Sequence, residues 1–135
     1  MSTPTGETDL KRMLRTLEPT VREGSFVFVS LPSSTLEFPS HEAMIREDEG
    51  ITLVMRKEEA DIVGLLYAFV ASWITLSVHS SLDAVGLTAA FSAALTKRGV
   101  SCNVLAGYFH DHILVPATRT EDALNCLREL AAGDE

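Results

Sequence analysis

The stretch ITLSVHSSLDAVGLTAAFSAALTKRGVSCNVLAG, Ile74 to Gly107, narrows the choice of fold more than any other part of the chain. From Trp73 the residues alternate. Ile74, Leu76 and Val78 fall on one face and Thr75, Ser77 and His79 on the other, the period of a half-buried strand. After a polar turn, Leu87, Phe91, Ala94 and Leu95 form a helical stripe. Lys97 and Arg98 stand in the last turn, where the carbonyl end of a helix favours cations, and Gly99 lies just beyond. Ser81 or Asp83 is the expected N-cap. Val100, Cys102, Val104 and Ala106 then alternate against Ser101, Asn103 and Leu105, and FHDH turns into ILVP, which predicts a β-hairpin. A strand, a helix and a hairpin in that order require the helix to lie across a sheet, so the class is α+β.

The flanks extend the pattern. Leu10, Met13, Leu14 and Leu17 are spaced as one face of a short helix ended by Pro19. Phe26–Leu31 reads as a strand buried on both faces. SSTLEFPSHEAMIREDEG reads as an acidic loop with one helical turn, and ITLVMR as the next strand. KEEADIVG predicts a short helix stopped by Gly64, and LLYAFVASWITLSVHS one or two strands. Near the end, Thr118 and Glu121 have the spacing of a capping box ahead of a stripe of Ala123, Leu127, Leu130 and Ala131. Strands that pair antiparallel with helices on one face predict a ferredoxin-like layer. The 135 residues hold two such units, expected over 1–66 and 67–135. Units of about 65 residues sit at the lower limit of independent stability, so they are expected to share a sheet or an interface.

Charge and motif content bound the function. The formal net charge is −8 and the eleven Lys and Arg residues are scattered, so nucleic acid is not expected as a partner. MSTPTGETDLKRML has neither a basic start nor an apolar core, and no apolar run reaches membrane length, which predicts a soluble cytoplasmic protein without a membrane partner. Cys102 and Cys126 alternate with apolar neighbours, as buried reduced thiols do. No nucleophile elbow or phosphate loop occurs, and Ser80 and Ser81 are too close in sequence to His79 to be served by it as a base. His110 and His112, with His79 or Asp111, could form a zinc site, and a small metal-dependent enzyme would use His79, Asp111 and His112. Equally, Asp111 could occupy a hairpin bend with the imidazoles in ordinary hydrogen bonds. No cofactor, no metal and no catalytic residue are expected.

HSSLDAVGLTAAFSAALTKRGVSCNVLAG resembles the ACT domain, the small-molecule-sensing module found beside amino-acid biosynthetic enzymes such as aspartate kinase. GSFVFVSLP, EDEGITLVMRKEEAD and AGYFHDHILVP extend the resemblance to small stand-alone proteins with two ACT-like units and no catalytic domain. It implies a ligand, a small amino acid or related carboxylate, against the turn and helix start at Ser81, Asp83, Ala84, Val85, Gly86 and Leu87, and against Asn103 and Val104 on the neighbouring strand. The chemistry suits the assignment, because a helix N-terminus offers N–H groups to a carboxylate and Asp83 could meet an ammonium. Asp83 could equally serve as the N-cap alone, Gly86 as a point of close helix packing, and Asn103 as a partner of a neighbouring loop. The resemblance also implies a homodimer and a regulated enzyme as partners, with a ligand-free protein-interaction module as the alternative.

Overall fold

A computed structural model describes residues 6–78 and 85–133, with side chains from residue 10 onward. In chain order the elements are α1 (Gly6–Arg15), β1 (Glu18–Val21), β2 (Phe26–Leu31), β3 (Ala43–Arg46), β4 (Ile51–Arg56), α2 (Lys57–Val63), β5 (Val70–Ser77), α3 (Leu87–Lys97), β6 (Asn103–Ala106), β7 (Asp111–Pro116) and α4 (Thr120–Ala132), the last entered through a 3₁₀ turn at Ala117–Arg119. They form two compact units. One is central in the sequence, Glu23–Ser72, and the other is interrupted, Met1–Arg22 with Trp73–Glu135.

In the central unit β2 and β4 pair antiparallel over their whole lengths, Phe26 opposite Arg56 and Leu31 opposite Ile51. β3 adds to the far side of β4, and Val70 and Ala71 of β5 pair with Val27 and Phe26. The order β3-β4-β2-β5 is that of a ferredoxin-like sheet. Its core face carries Val27, Val29, Ile51, Leu53 and Met55, covered by Ala60 of α2. α2 stops because Gly64, at φ +73°, adopts the left-handed conformation and donates its N–H back to the last turn. The helix that normally follows the first strand of such a unit is missing. Residues 32–42 run in its place, with Pro32 and Pro39 denying the chain helical hydrogen bonds, and Phe38 packs on the face that the helix would cover.

The interrupted unit has the order β1-β5-β7-β6. Read from β5, the path is strand, α3, strand, strand, α4, and the fourth strand is β1, which precedes β5 in sequence. The unit is thus a circular permutation of the ferredoxin-like path. Ile74, Leu76, Ile113 and Val115 face Leu87, Phe91, Ala94 and Leu95 of α3 and Ala123, Leu127 and Leu130 of α4, with Leu17 filling the cluster from the N-terminal side. Both predicted stripes are therefore buried as expected. Arg119 joins the two helices: its guanidinium donates to the Arg98 carbonyl at 2.8 Å and to the Gly99 carbonyl at 3.3 Å, satisfying acceptors at the end of α3, while Nε bonds Asp122 at 2.8 Å. Arg98 pairs with Glu129 at 2.5 Å. The fold is α+β, two ferredoxin-like units with antiparallel sheets.

Three local expectations change. Glu18–Val21 is a strand, although Pro19 reads as a break, because it pairs with β5. Ala43–Arg46, expected within a loop, is an edge strand held by β4. Thr118 forms no capping box, since it lies inside the 3₁₀ turn and α4 begins two residues later without a side-chain cap. The long apolar run contributes a single strand from Val70. No helix among the described residues is long and apolar enough to cross a membrane.

Phe91 is fully buried at the centre of the interrupted unit's core. Phe91→Ala should lower the unfolding free energy by about 3–5 kcal/mol, read as a fall in the denaturant midpoint, and Phe91→Leu should lower it by much less.

Candidate functional site

The start of α3 is set by its backbone. Gly86, where Ser81 or Asp83 was expected, is the N-cap at φ +98°, a conformation that side-chain-bearing residues rarely adopt, and among the described residues no side chain caps the helix. The first intrahelical bond runs from the Ala90 N–H to the Gly86 carbonyl at 2.9 Å. A Cβ added at Gly86 would lie 3.3 Å from Leu10 Cδ2, so α1 packs against the glycine itself. Ser81, Asp83 and Ala84 lie outside the described residues, as does His79. Val85 is 84% exposed, whereas Leu87 is buried in the core.

β6 supplies the strand side of the predicted site. Val104 packs against the same core cluster as Leu87. Asn103, exposed and paired with Leu114, points to the opposite face of the sheet. Leu87 and Val104 thus belong to one core cluster, which Gly86 meets through Leu10, while Asn103 belongs with the sheet's other surface.

That second surface carries a polar cluster that sequence spacing did not bring together. The Trp73 indole Nε1–H donates to His112 Nδ1 at 3.2 Å, and Thr75 Oγ1 lies 3.0 Å from the same nitrogen. Arg22 stacks over the Trp73 ring at 4.2 Å, and its N–H donates to the Trp73 carbonyl at 2.9 Å. An indole N–H can only donate, so Nδ1 must accept and the proton of the neutral ring sits on Nε2. Burial, then the nearby Arg22 and His110, hold the His112 pKa below its ordinary 6.5 against the opposing pull of Asp111. The hairpin is fitted to this ring: a Cβ at Gly107 would meet His112 Nε2 at 3.0 Å and the His110 carbonyl at 2.8 Å. His112 faces Trp73 and Thr75 through Nδ1, which removes that nitrogen from metal binding. Among the described residues no group of three or more His, Cys, Asp or Glu side chains could hold a metal ion. Cys102 and Cys126 are free thiols, and burial pushes Cys102 up to about 11 against a hydrogen bond with Ser92, so it carries no thiolate at neutral pH.

Models of the ACT domain match residues 5–72 and, separately, residues 69–129. The chain belongs to the ACT-domain family. ACT domains are regulatory modules. A comparison with curated proteins finds no match. Among solved structures, a Vibrio cholerae protein of unknown function, described as a "possible transport protein", is 40% identical over 94% of this chain and 99% of its own, with a TM-score of 0.84. The ligand-free regulatory subunit of Thermus thermophilus aspartate kinase superposes with a TM-score of 0.60 at 9% identity, covering 83% of this chain and 95% of that one. Clostridium acetobutylicum aspartate kinase gives 0.61 at 11% identity, covering 87% of this chain and 34% of the kinase. The last two share the ACT fold with this chain.

Because the fold depresses the His112 pKa, the folded state binds a proton there less readily than the unfolded chain. The stability contributed by the neutral ring is complete above pH 6.5 and is lost as pH falls through 6.5 toward the folded-state pKa. The melting temperature should therefore decline below pH 6.5 more steeply in the parent than in His112→Gln, as followed by circular dichroism. Parallel profiles would show that His112 does not couple to folding.

Proposed function

We propose that this ACT protein is a regulatory module that binds a small amino acid or a related carboxylate and has no catalytic activity of its own. The match of ACT models to both parts of the chain carries the reading. It is supported by the start of α3, whose N-cap is a glycine without a capping side chain. The first N–H groups of such a helix suit a carboxylate, and Asp83 is the residue that would meet the ammonium. Ser81, Ala84, Val85, Gly86 and Leu87 would form the turn beside the ligand, with Val104 contributed by β6, while Asn103, on the other surface of the sheet, would take no part. In this reading the protein acts in the cytoplasm as a homodimer, controls an enzyme, and uses neither nucleic acid nor a membrane.

A second reading has its own observation. Leu10 stands against Gly86, so α1 occupies the approach that a ligand would use. This favours an ACT module that works by protein contact without a small molecule.

The readings separate in a thermal-shift series over the amino acids. A ligand at ~100 times its dissociation constant stabilises the fold by about 2.7 kcal/mol. One amino acid should raise the melting temperature of the parent, and Asp83→Asn should abolish that rise while its unliganded melting temperature stays within a few degrees of the parent's. Gly86 is a poorer probe, since any side chain there is strained by the positive φ and meets Leu10. No shift with any amino acid would reject the ligand reading in favour of the contact module.

A further inference from the structure

Within the central unit, the corner where β2 begins and β4 runs into α2 holds an open cavity of about 530 Å³. Glu23, Gly24 and Ser25 line it from ahead of β2, and Arg56, Lys57, Glu58 and Asp61 from the junction of β4 with α2. Arg56 is held there from several directions. It ends β4 opposite Phe26, its guanidinium lies 5.1 Å from the centroid of that fully buried ring, and Nη1 donates to the Glu23 carbonyl at 2.8 Å. Gly24 leaves room for the group: at φ +87° the position is strained for any side chain, and a Cβ would come within 3.1 Å of Nη1. A guanidinium has five N–H donors, and apart from the bond to Glu23 none has a partner among the described residues. A half-buried Arg fixed in place with open donors on a cavity suits a carboxylate or phosphate, which it can take with two parallel hydrogen bonds.

The other charges on the cavity narrow the ligand. Lys57 and Asp61 satisfy each other: Nζ donates to the carboxylate at 2.9 Å, and the Tyr67 hydroxyl donates to the same carboxylate at 2.6 Å. Tyr67 and Lys57 hold Asp61 below the usual carboxylate range, and Asp61 holds the Lys57 ammonium above its own, so both stay charged. The Lys57 backbone N–H is taken by the Ser25 carbonyl at 2.9 Å. Arg56 remains, with the carboxylates of Glu23 and Glu58, neither of which has an ion-pair partner among the described residues. A phosphate or a dicarboxylate on Arg56 would bring its second negative charge against Glu23 and Glu58. A diamine would suit the two carboxylates and set a cation against the guanidinium. A molecule with one carboxylate and one ammonium meets neither penalty. We propose that this cavity binds a small zwitterion, its carboxylate on the Arg56 guanidinium and its ammonium toward Glu23 and Glu58. The site belongs wholly to the central unit and does not depend on the ligand reading of the α3 turn.

The test is isothermal titration calorimetry of the full-length protein with straight-chain ω-amino acids from β-alanine to aminooctanoate, and with the dicarboxylate and the diamine of each length. The series varies the distance between the two charges, and the controls change one charge at constant length. At least one ω-amino acid should bind, with its dicarboxylate and diamine counterparts about tenfold or more weaker. Its affinity should fall about tenfold or more in Arg56→Lys, which keeps the charge and loses the planar fork, and in Glu23→Gln/Glu58→Gln, and should be unchanged in Asp83→Asn. Glu23 and Glu58 are exposed, so the double variant should melt with the parent, and it suffices alone if Arg56→Lys fails to fold. The proposal is overturned if no ω-amino acid binds at millimolar concentration, if a dicarboxylate or diamine binds as tightly as the best of them, or if the variants that fold bind as the parent does. Loss of binding in Asp83→Asn also overturns it, since the molecule then sits at the α3 turn.

Discussion

The ladder between β1 and β5 holds the interrupted unit together. Glu18–Val21 is only four residues long, yet without it the sheet would end at β5 with an unpaired edge and the core would lose its connection to Leu17. The Arg22 N–H extends the ladder to the Trp73 carbonyl, and the guanidinium then lies over the indole whose N–H fixes His112. A backbone pairing thus sets the polar surface of the sheet as well as its closure. On the other side of the same sheet, α1 arrives just ahead of β1 and brings Leu10 to the beginning of α3.

The two units solve the covering of a ferredoxin-like sheet differently. The interrupted unit uses two helices of 11 and 13 residues, locked at one end by Arg119 and along their sides by Arg98 and Glu129. The central unit has one helix of 7 residues, and an irregular, proline-containing segment does the rest. A helix would bury a continuous stripe, whereas residues 32–42 bury Phe38 and leave Leu36 outside. The difference in secondary structure becomes a difference in surface chemistry.

Much of this was legible in the residues. β2, β4, β5, α2, α3 and α4 announce themselves because their periodicity reflects a face that must be buried, and the buried sets Leu87, Phe91, Ala94, Leu95 and Ala123, Leu127, Leu130 match the predicted stripes. β1 and β3 were not legible. Each is a four-residue strand whose conformation is imposed by its partner, β5 or β4, and neither EPTV nor AMIR has a period of its own long enough to detect. Thr118 had the right spacing for a cap, but the chain leaving Pro116 takes a 3₁₀ turn first. At the candidate site, Gly86 was read as a point of ligand approach or close packing, with the N-cap expected at Ser81 or Asp83; its role as N-cap and its contact with Leu10, far away in sequence, were not legible. Arg22, Trp73 and His112 come together for the same non-local reason, so only the lone Trp and the HDH motif could have hinted at their meeting.

The permuted order of the interrupted unit also bears on synthesis. During synthesis α1 and β1 emerge ahead of the whole of residues 23–72, and the strand to which β1 pairs follows only afterwards. Until β5 and the helices behind it have been made, Met13, Leu14 and Leu17 have no core to enter, and β1 offers an open edge to any neighbouring strand. Folding of that unit must therefore wait for its C-terminal half, and until then the α1–β1 segment is open to premature association.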